Sequence, residues 1–414
     1  MARQKDSIKK INTVLNKKGN FKIYELILFG LLICIISVFS TFVLTKHFSN
    51  LKVDNIKSNG KNDIVEFKEV YDLINDSYYK DVDQSKLIDG AINGMLSSLE
   101  DPHTSYFNKE ETENFNEVMN GSYEGIGAEI SIDNEGNIFI LSVFKNSPAK
   151  ENGLMNGDII LEINDKSTKG LSTTEVVSII KDPKTSVAKI KVRRNNDELN
   201  FSVEKRIVII DSVESEVIDY NNKKIGYIIV NNFANNTYEQ FRSNLESLEE
   251  NNIKGLVIDV RGNTGGYLHS VTDMINMFLP KGKIIYQIAD KKTTYKYTAS
   301  TEESRNYPVA VLVNKASASA SEILAISLKE AYDAYVVGTY TYGKGTVQTT
   351  KDLSSGGMIK YTIQKWLSPK GNWVNDKGVE PTHSVELSDE YIINPVREND
   401  NQLDKALKLI SESK

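Results

Sequence analysis

The chain has 414 residues, which is enough for two or three domains, and its formal net charge is −6. This acidic balance argues against nucleic acid as a partner, because a phosphate backbone is bound by basic surfaces. Cys34 is the only cysteine. An internal disulfide is therefore excluded, and stability must come from packing.

The N-terminal residues predict a membrane anchor. Residues 1–25 form a basic tail with a net charge of +5, and residues 26–44 follow without any charge. Nineteen uncharged, mostly apolar residues match the length of a spanning helix, so residues 26–46 are predicted as a transmembrane anchor. Because the basic residues precede the span, we expect the N-terminus in the cytoplasm and the remainder, with a net charge of −11, outside.

A cleaved signal peptide is the alternative for this segment. The apolar run is long for a signal core and no A-x-A cleavage site follows it, which favours an uncleaved anchor. Cys34 could indicate a lipoprotein site, but the large Ile33 before it and the apolar residues after it favour an inert membrane cysteine. Residues 47–62 are polar without a periodic apolar face, as expected of a linker.

Residues 63–121 are predicted to form a helical segment, because apolar side chains recur there at helical spacing. We interpret them as stripes that face a core, with a subunit contact as the alternative. The first stripe comprises Ile64, Phe67, Tyr71, Ile74 and Tyr78, and the second comprises Ile88, Ile92, Met95 and Leu99.

Residues 122–204 are predicted to contain short strands at regular intervals and one helix. The strands are expected at Ala128–Ile132, Ile138–Val143, Ile159–Ile163 and Ile190–Arg193, and the helix at Thr173–Ile180. This pattern resembles a PDZ domain, which adds a peptide as an extra strand and holds its terminal carboxylate with backbone amides. Gly125, Ile126 and Gly127 occupy the position of that carboxylate loop, with a simple turn as the alternative.

Residues 205–390 alternate strands with helices, which predicts an α/β core with a largely parallel sheet. Strands are expected at Ile225–Val230, Leu256–Val260 and Val309–Val313, and a short closing helix at Gln402–Ile410 within residues 391–414. The glycine loop GNTGG (262–266) follows the second strand, and the serine turn SASASE (317–322) follows the third. Both lie at carboxyl ends of strands, so they can meet in one crevice. The fold class is therefore a mixed α/β, multidomain fold.

The serine turn offers a nucleophile at the entrance of a helix. Ser319 and Glu322 have the S-x-x-E spacing of a capping box, whereas neither Ser317 nor Ser321 has an acid or amide three residues on. The free N–H groups and the helix dipole at such an entrance favour an oxyanion. By itself this turn favours simple capping over catalysis.

A lysine framed by glycines, in YGKGTVQ (342–348) on a later strand, offers a base. A lysine can take the proton of a serine if burial or nearby charge keeps its amine neutral, and Ser–Lys pairs are a known variant of the catalytic triad. The residues from Gly338 to Lys344 nearly spell a phosphate-binding P-loop. We reject that site because Gly345 replaces the required Ser or Thr and a strand pattern follows.

Neighbouring charges are expected to have structural roles. A carboxylate at Glu322 beside Lys344 would hold the lysine protonated, so capping suits Glu322 better than catalysis. Asp259 and Arg261 flank the glycine loop and are expected to brace it.

Together these motifs resemble the C-terminal processing peptidases, which are tail-specific serine proteases of the Ser/Lys type. The resemblance covers roughly residues 64–385, with small departures at Val260 and Tyr342. Its landmarks occur in the order of the family: DPHTSY (101–106), YEGIGAEI (123–130), SPAKENGLMNGDIILEIN (147–164), DVRGNTGG (259–266), LVNKASASASEI (312–323) and VVGTYTYGKGTVQ (336–348).

The resemblance implies a role for each matching residue. Ser319 corresponds to the nucleophile, Lys344 to the base, and Gln348 to the residue that orients the lysine. The backbone amides of Ala320 and Gly265, the latter in preference to Gly266, correspond to the oxyanion hole.

The implied protein is a membrane-anchored, extracytoplasmic endopeptidase that binds apolar C-terminal tails of proteins through its PDZ domain. The family needs no metal or other cofactor. The helical segment often mediates self-association in the family, so a homo-oligomer is also expected.

Two other classes of function stay open. The first is a PDZ-based docking or sensor protein whose hydrolase domain is inactive. The presence of all three catalytic-type residues, Ser319, Lys344 and Gln348, argues against it. A histidine-dependent hydrolase with His269 as the base is the second. His269 falls on the helix after the glycine loop, which favours a surface or packing role. The four histidines are scattered, without the spacing of metal ligands.

Overall fold

The computed structural model describes residues 63–302 and 304–413. The predicted tail (1–25), anchor (26–46) and linker (47–62) lie outside these residues. Within the described ranges, no helix is both long and apolar enough to cross a membrane.

Helices and strands are numbered separately, in chain order. The helices are α1 (Asp63–Ser77), α2 (Gln84–Ser97), α3 (Lys109–Asn120), α4 (Pro148–Glu151), α5 (Thr173–Ile180), α6 (Thr237–Glu250), α7 (Leu268–Asn276), α8 (Ala320–Ala331), α9 (Asp389–Ile393) and α10 (Asn401–Glu412), with a 3-10 turn at Arg397–Asn399. The strands of the first half are β1 (Ser105–Phe107), β2 (Ser122–Gly125), β3 (Ala128–Ile132), β4 (Ile138–Val143), β5 (Ile159–Ile163), β6 (Lys166–Ser167), β7 (Val187–Arg194), β8 (Asp197–Glu204) and β9 (Arg206–Ile209). Those of the second half are β10 (Val213–Tyr220), β11 (Lys223–Val230), β12 (Leu256–Asp259), β13 (Ile284–Ala289), β14 (Thr294–Thr298), β15 (Val309–Val313), β16 (Tyr335–Gly338), β17 (Thr346–Asp352), β18 (Met358–Leu367) and β19 (His383–Ser384).

The chain divides after Gln84 into two units, and α1 lies in the first. None of the residues of α1 is buried, and Ile64 is 71% exposed. In α2 the buried residue is Leu96, whereas Met95 and Leu99 are exposed. The prediction that both stripes face a core is therefore wrong for the described residues. Helical spacing shows which side chains share a face, but not whether another element covers that face.

An antiparallel sheet with the strand order β3-β4-β5-β7-β8 forms a separate β-rich body. Strands β3, β4 and β5 have the predicted bounds, and β7 is longer than predicted. Helix α5 is capped reciprocally by Ser172 and Glu175. It buries Val176 and Ile180 against a core that includes Ile140 and Ile190. The predicted strands and helix are thus packed around one hydrophobic core of their own.

The α/β core contains a six-stranded sheet with the order β10-β11-β12-β15-β16-β19. Strands β10 and β11 are antiparallel, and the other neighbours are parallel, as predicted. Alternate residues of the central strands face opposite layers: Ile258 and Val311 join the core of α6, α7 and α8, and Val257 joins that of α10. Covering both faces explains why β12 and β15 are buried throughout.

A second, antiparallel sheet was not predicted. It has the order β1-β18-β13-β14, with β17 also paired to β18. Strand β1 comes from the N-terminal helical segment and pairs Ser105 with Lys360.

The predicted position of Lys344 on a strand is wrong. Lys344 lies in the lysine loop (residues 339–345), which leads into β17.

Candidate active site

The serine turn buries two of its three serines. Ser317 is fully buried and donates its hydroxyl to the Val260 carbonyl at 2.8 Å. Ser321 is also fully buried and donates to the Asn263 carbonyl at 2.8 Å. Ser319, between them, is only half-buried. Ser317 and Ser321 thus bind the serine turn to the end of β12 and to the glycine loop.

Ser319 immediately precedes α8 in an unusual backbone conformation, with φ 55° and ψ −112°. A positive φ is strained for a residue with a side chain, and such strain is concentrated at functional sites. A serine on a sharp turn from strand to helix also occurs in the nucleophile elbow of other hydrolases. The Ala320 N–H begins the helix, so it has no acceptor within the helix.

The glycine loop lies directly against this turn. A Cβ built on Gly265 would lie 2.9 Å from the Ser319 Cβ and 3.2 Å from the Ala320 N, so a larger residue would collide with the turn. Gly265 has φ 107°, which glycine adopts without strain. Asn263 holds the loop from inside, because its buried side chain donates to the Val230 carbonyl at 2.8 Å.

The two glycines of the predicted oxyanion hole differ in their hydrogen bonds. The Gly265 N–H donates to the Asn263 Oδ1 at 2.9 Å. Among the residues that the structure describes, the Gly266 N–H has no acceptor. The N–H of Gly265 must therefore leave Asn263 before it can bind an oxyanion.

Glu322 joins the serine turn to the lysine loop, a role that sequence analysis missed. Its fully buried carboxylate accepts hydrogen bonds from the N–H groups of Ser319 at 2.8 Å, Gly343 at 2.7 Å and Lys344 at 2.8 Å. The Thr341 hydroxyl donates to it at 2.6 Å. The spacing S-x-x-E predicted the bond to Ser319, but nothing local to Glu322 indicated the other three. One carboxylate thus sets the position of the lysine backbone relative to that of the serine.

The amine of Lys344 is half-buried and unpaired. Within residues 63–302 and 304–413, Lys344 Nζ has neither a hydrogen-bond acceptor nor an ion-pair partner. Burial, and then the positive charge of Lys360, lower the pKa of Lys344 to about 8, against the opposite effect of Asp101 and Glu322. A substantial fraction of this amine is therefore neutral at mildly alkaline pH, as a general base requires.

Gln348 lies on β17, opposite Thr362 on β18. Its side-chain NH2 donates to the Thr346 hydroxyl at 2.9 Å and to the Thr362 hydroxyl at 3.1 Å. The strand register shifts between Val347 and Gln348, and such bulges re-aim side chains beside active sites.

His269 takes no part in this arrangement. Its Nε2 lies 3.0 Å from the Asn235 Oδ1, and its exposed ring packs against Tyr267 with ring centres 5.0 Å apart. In the described part of the chain, no group of three or more His, Cys, Asp or Glu could hold a metal ion.

Arg261 braces the glycine loop, as expected. Its guanidinium binds the carboxylates of Asp259 at 2.6 Å and Asp400 at 2.8 Å. Since Asp400 precedes α10, this ion pair fastens the closing helix to the loop that borders the site.

A groove of about 350 Å³ lies beside the predicted carboxylate loop. Gly127 has φ 76°, and a Cβ there would lie 2.2 Å from the Ser147 Cβ, so glycine is required. Burial raises the pKa of Tyr123 to about 12. At the edge of the groove, Lys181 and Glu117 form an ion pair at 2.6 Å. Apolar side chains of Ile126, Ile130, Val177 and Ile180 line the groove.

Three segments of the chain match known protein families or domains. Residues 224–385 match peptidase family S41, residues 117–193 match the PDZ domain, and residues 32–111 match the N-terminal domain of the activating protease CtpB. The chain is similar to carboxy-terminal processing protease CtpB of Bacillus subtilis (strain 168), with 40% identity over 333 residues, 80% of this chain and 69% of CtpB. It is also similar to CtpA of that organism, with 36% identity over 334 residues, 80% of this chain and 71% of CtpA.

A solved structure from Bacteroides fragilis NCTC 9343, assigned to the S41 proteases, has the same fold. Its TM-score is 0.51 at 17% identity, and the match covers 83% of this chain and 97% of that chain. The identity and coverage of the Bacillus relatives decide the family. The chain belongs to the carboxy-terminal processing serine proteases of peptidase family S41 and carries a PDZ domain.

Proposed function

We propose that this protease cleaves peptide bonds with a Ser319–Lys344 dyad. The observation that carries the proposal is the unpaired, half-buried amine of Lys344, held next to the serine turn by Glu322. Lysine serves as a base only when its pKa is depressed, and burial is the main cause of the depression here.

In this mechanism the neutral amine of Lys344 takes the proton of the Ser319 hydroxyl as Ser319 Oγ attacks the peptide carbonyl carbon. The resulting ammonium gives that proton to the leaving amine nitrogen when the C–N bond breaks, which leaves an acyl-enzyme. The same amine then takes a proton from water, whose oxygen attacks the ester carbonyl. Breaking the ester bond returns that proton to Ser319 Oγ.

The developing oxyanion would be stabilised by backbone amides. Ala320 supplies one N–H at the start of α8, where the helix dipole favours negative charge. Gly265 supplies the second once its N–H leaves Asn263, and the free N–H of Gly266 is adjacent to it. Gln348 would orient the lysine through its amide.

The PDZ domain is proposed to bind the C-terminal tail of the substrate. The loop of Gly125, Ile126 and Gly127 would hold the terminal carboxylate with its backbone N–H groups. The apolar lining of the groove suits an apolar side chain near the terminus. The expected substrates are therefore proteins with apolar C-terminal tails.

We also propose that the protein is a single-pass membrane protein with a cytoplasmic N-terminus and an extracytoplasmic catalytic part. This proposal rests on the uncharged residues 26–44 and the basic residues before them.

A homo-oligomer joined through the helical segment is proposed as well, supported by the exposed apolar side chains of α1 and α2.

The dyad can be tested with the full-length protein in detergent and a peptide with an apolar tail. Ser319→Ala, Lys344→Ala and Lys344→Arg should each lower kcat by at least about 100-fold, since arginine keeps the charge but cannot give up its proton. Lys365→Arg, at an exposed position on β18, is the matched control. Products are identified by mass spectrometry and folding by circular dichroism.

The wild-type rate should rise with pH through about 8, because deprotonation of Lys344 produces the base. A folded Lys344→Arg enzyme with nearly wild-type rates would show that the lysine is not the base. Reaction of the wild type, but not of Ser319→Ala, with a fluorophosphonate tests the nucleophile separately.

A further inference from the structure

Both tryptophans of the chain bind the lysine loop through their indole N–H groups. Trp366 Nε1 donates to the Lys344 carbonyl at 2.8 Å, and Trp373 Nε1 donates to the Gly345 carbonyl at 2.9 Å. Trp366 lies near the end of β18, and Trp373 follows that strand. Two donors from one later segment of the chain thus bind successive carbonyls at the proposed base.

Trp366 is a fixed support for the loop. Its side chain is 1% exposed and belongs to the hydrophobic core that also contains Val374 and Val379. Its backbone N–H donates to the Gly345 carbonyl at 3.1 Å, so a single residue binds two carbonyls of the loop. Because side chains in a close-packed core have little freedom, the core and β18 determine where the indole N–H points.

The backbone of Lys344 is held on both sides. Its N–H donates to the Glu322 carboxylate at 2.8 Å, and its carbonyl accepts from the Trp366 indole. The adjacent Gly345 N–H donates to the Asn375 Oδ1 at 2.9 Å. Because peptide units are planar, fixing the N–H on one side of a Cα and the carbonyl on the other fixes the direction of the Cα–Cβ bond. These bonds therefore determine the direction in which the lysine side chain leaves the loop.

The Lys344 amine depends on this backbone support, because in the described ranges Nζ has neither a hydrogen-bond acceptor nor an ion-pair partner of its own. We propose that Trp366 is a positioning residue of the active site: with Glu322 on the opposite side, its indole N–H holds the Lys344 backbone and thereby positions the side chain that carries the proposed base. The inference rests on the proposed role of Lys344.

The two indole hydrogen bonds differ in how far other donors can replace them. Among the residues that the structure describes, the Lys344 carbonyl has no donor besides the Trp366 indole. The Gly345 carbonyl has two donors, the Trp366 N–H and the Trp373 indole. Trp373 is also 45% exposed, so water can reach its side of the loop. Loss of the Trp366 indole N–H thus leaves a carbonyl without a protein donor, whereas loss of the Trp373 indole N–H does not.

The test replaces each tryptophan by benzothienylalanine, an isostere in which sulfur takes the place of the indole N–H. The shape of the side chain is retained and the donor is removed. At position 366 of the full-length protein in detergent, kcat for one tail peptide should fall about tenfold with little change in KM, because a displaced base misses the transition-state geometry. At position 373 the fall should be less than about twofold, since the Gly345 carbonyl keeps a donor. Equal kcat values at the two positions overturn the proposal.

The pH–rate profile reports the position of the amine separately. Burial is the main cause that lowers the pKa of Lys344 to about 8, and the charges of Lys360, Asp101 and Glu322 also act on it. The isostere at position 366 leaves these charges in place but lets the loop move the amine toward solvent. The pKa should then rise toward its ordinary value, and the alkaline rise of the rate should begin at higher pH. A loss of kcat with an unmoved profile overturns the proposal.

A Lys344→Ala background shows whether Trp366 acts through the lysine. There the isostere at position 366 should cause no further loss of kcat, because the side chain to be positioned is absent. A further tenfold loss overturns the positioning role and leaves the proposed base intact. Nearly wild-type rates in Lys344→Arg, in contrast, overturn the base itself.

The hydrogen bond can also be measured in the wild type, without a variant that must fold. The two tryptophans give two indole N–H signals in the NMR spectrum of the isotope-labelled protein, and Trp373→Phe identifies the signal of Trp366. That N–H should exchange with heavy water at least about tenfold more slowly than the N–H of Trp373, because it is buried and bonded. Equal exchange rates overturn the proposal even if the isostere at position 366 does not fold.

Discussion

Lys360 is the side chain whose charge favours the neutral form of Lys344. It is half-buried on β18, and its Nζ lies 5.3 Å from the ring centre of Phe107 and 5.6 Å from that of Phe115. Burial lowers the pKa of Lys360 itself. A positive charge fixed near a lysine disfavours protonation of that lysine, so the two aromatic rings indirectly support the base.

We expect Lys360→Met to raise the pKa of Lys344 above the wild-type value of about 8, because a nearby positive charge is removed while the apolar packing is retained. The alkaline rise of the pH–rate profile should then begin at higher pH than in the wild type. Lys365→Met is the matched control: its Nζ also lies over an aromatic ring, 5.1 Å from that of Trp373. Identical profiles for wild type and Lys360→Met would mean that Lys360 does not tune the base.

At the scale of the elements, the site is assembled from two loops that are held by one side chain. Glu322 lies in the first turn of α8 and accepts three backbone N–H groups and one hydroxyl. A carboxylate has acceptor sites for all four donors, whereas an amide has a single acceptor oxygen and would turn its NH2 toward other donors. The pairing of α8 with the lysine loop therefore depends on the carboxylate.

Glu322→Gln should lower the free energy of unfolding by about 1–3 kcal/mol, the cost of leaving buried donors unsatisfied, and should also lower kcat. Glu330→Gln is the control on the same helix, where the carboxylate accepts from the Lys370 N–H at 2.8 Å at an exposed contact. Urea unfolding and peptide cleavage measure the two effects. Equal stability of the two variants would contradict the bridging role of Glu322.

At the scale of the whole molecule, substrate recognition and cleavage are assigned to different domains. A free C-terminal carboxylate should therefore matter, since backbone N–H groups of the PDZ loop would bind it. Amidating the terminus of a substrate peptide should lower kcat/KM about tenfold or more, as expected for lost hydrogen bonds to a charged group. In Gly127→Ala, whose Cβ would collide with Ser147, this preference should shrink. Equal cleavage of the acid and the amide by the wild type would exclude recognition of the terminus.

The anchor is a second property of the whole chain. If residues 26–44 are retained, the protein should stay in the membrane during carbonate extraction, because nineteen uncharged, mostly apolar residues are long enough to span the hydrocarbon layer. N-terminal sequencing of the mature protein should recover residues of the basic tail. A mature N-terminus beyond residue 44 would contradict the proposal. Ser319→Ala serves as the control, since it tests whether any processing is carried out by the protein itself.

Elements whose signals are local were predicted closely. Strands β3, β4, β5 and β15 and helix α5 have the bounds that apolar periodicity indicated. The second sheet was missed because its strands come from distant segments: the contact of Thr362 with Thr104 joins residues 258 apart. The apolar stripes of α1 show the same limit. Their spacing predicted a helix, but the exposure of Ile64 depends on neighbours that the spacing does not contain.

The sequence by itself determined the family, the strands and helices with strong local patterns, and the motifs that contain Ser319 and Lys344, because each is encoded in residues close together in the chain. Only the tertiary structure decided which serines are buried, which backbone amides are free, and which charges surround the Lys344 amine. Glu322 bridges the two motifs, and Thr104 accepts the N–H of Thr362 on β18. These hydrogen bonds join segments far apart in the chain. Such bonds form only after folding has brought those segments together, so no local pattern can reveal them.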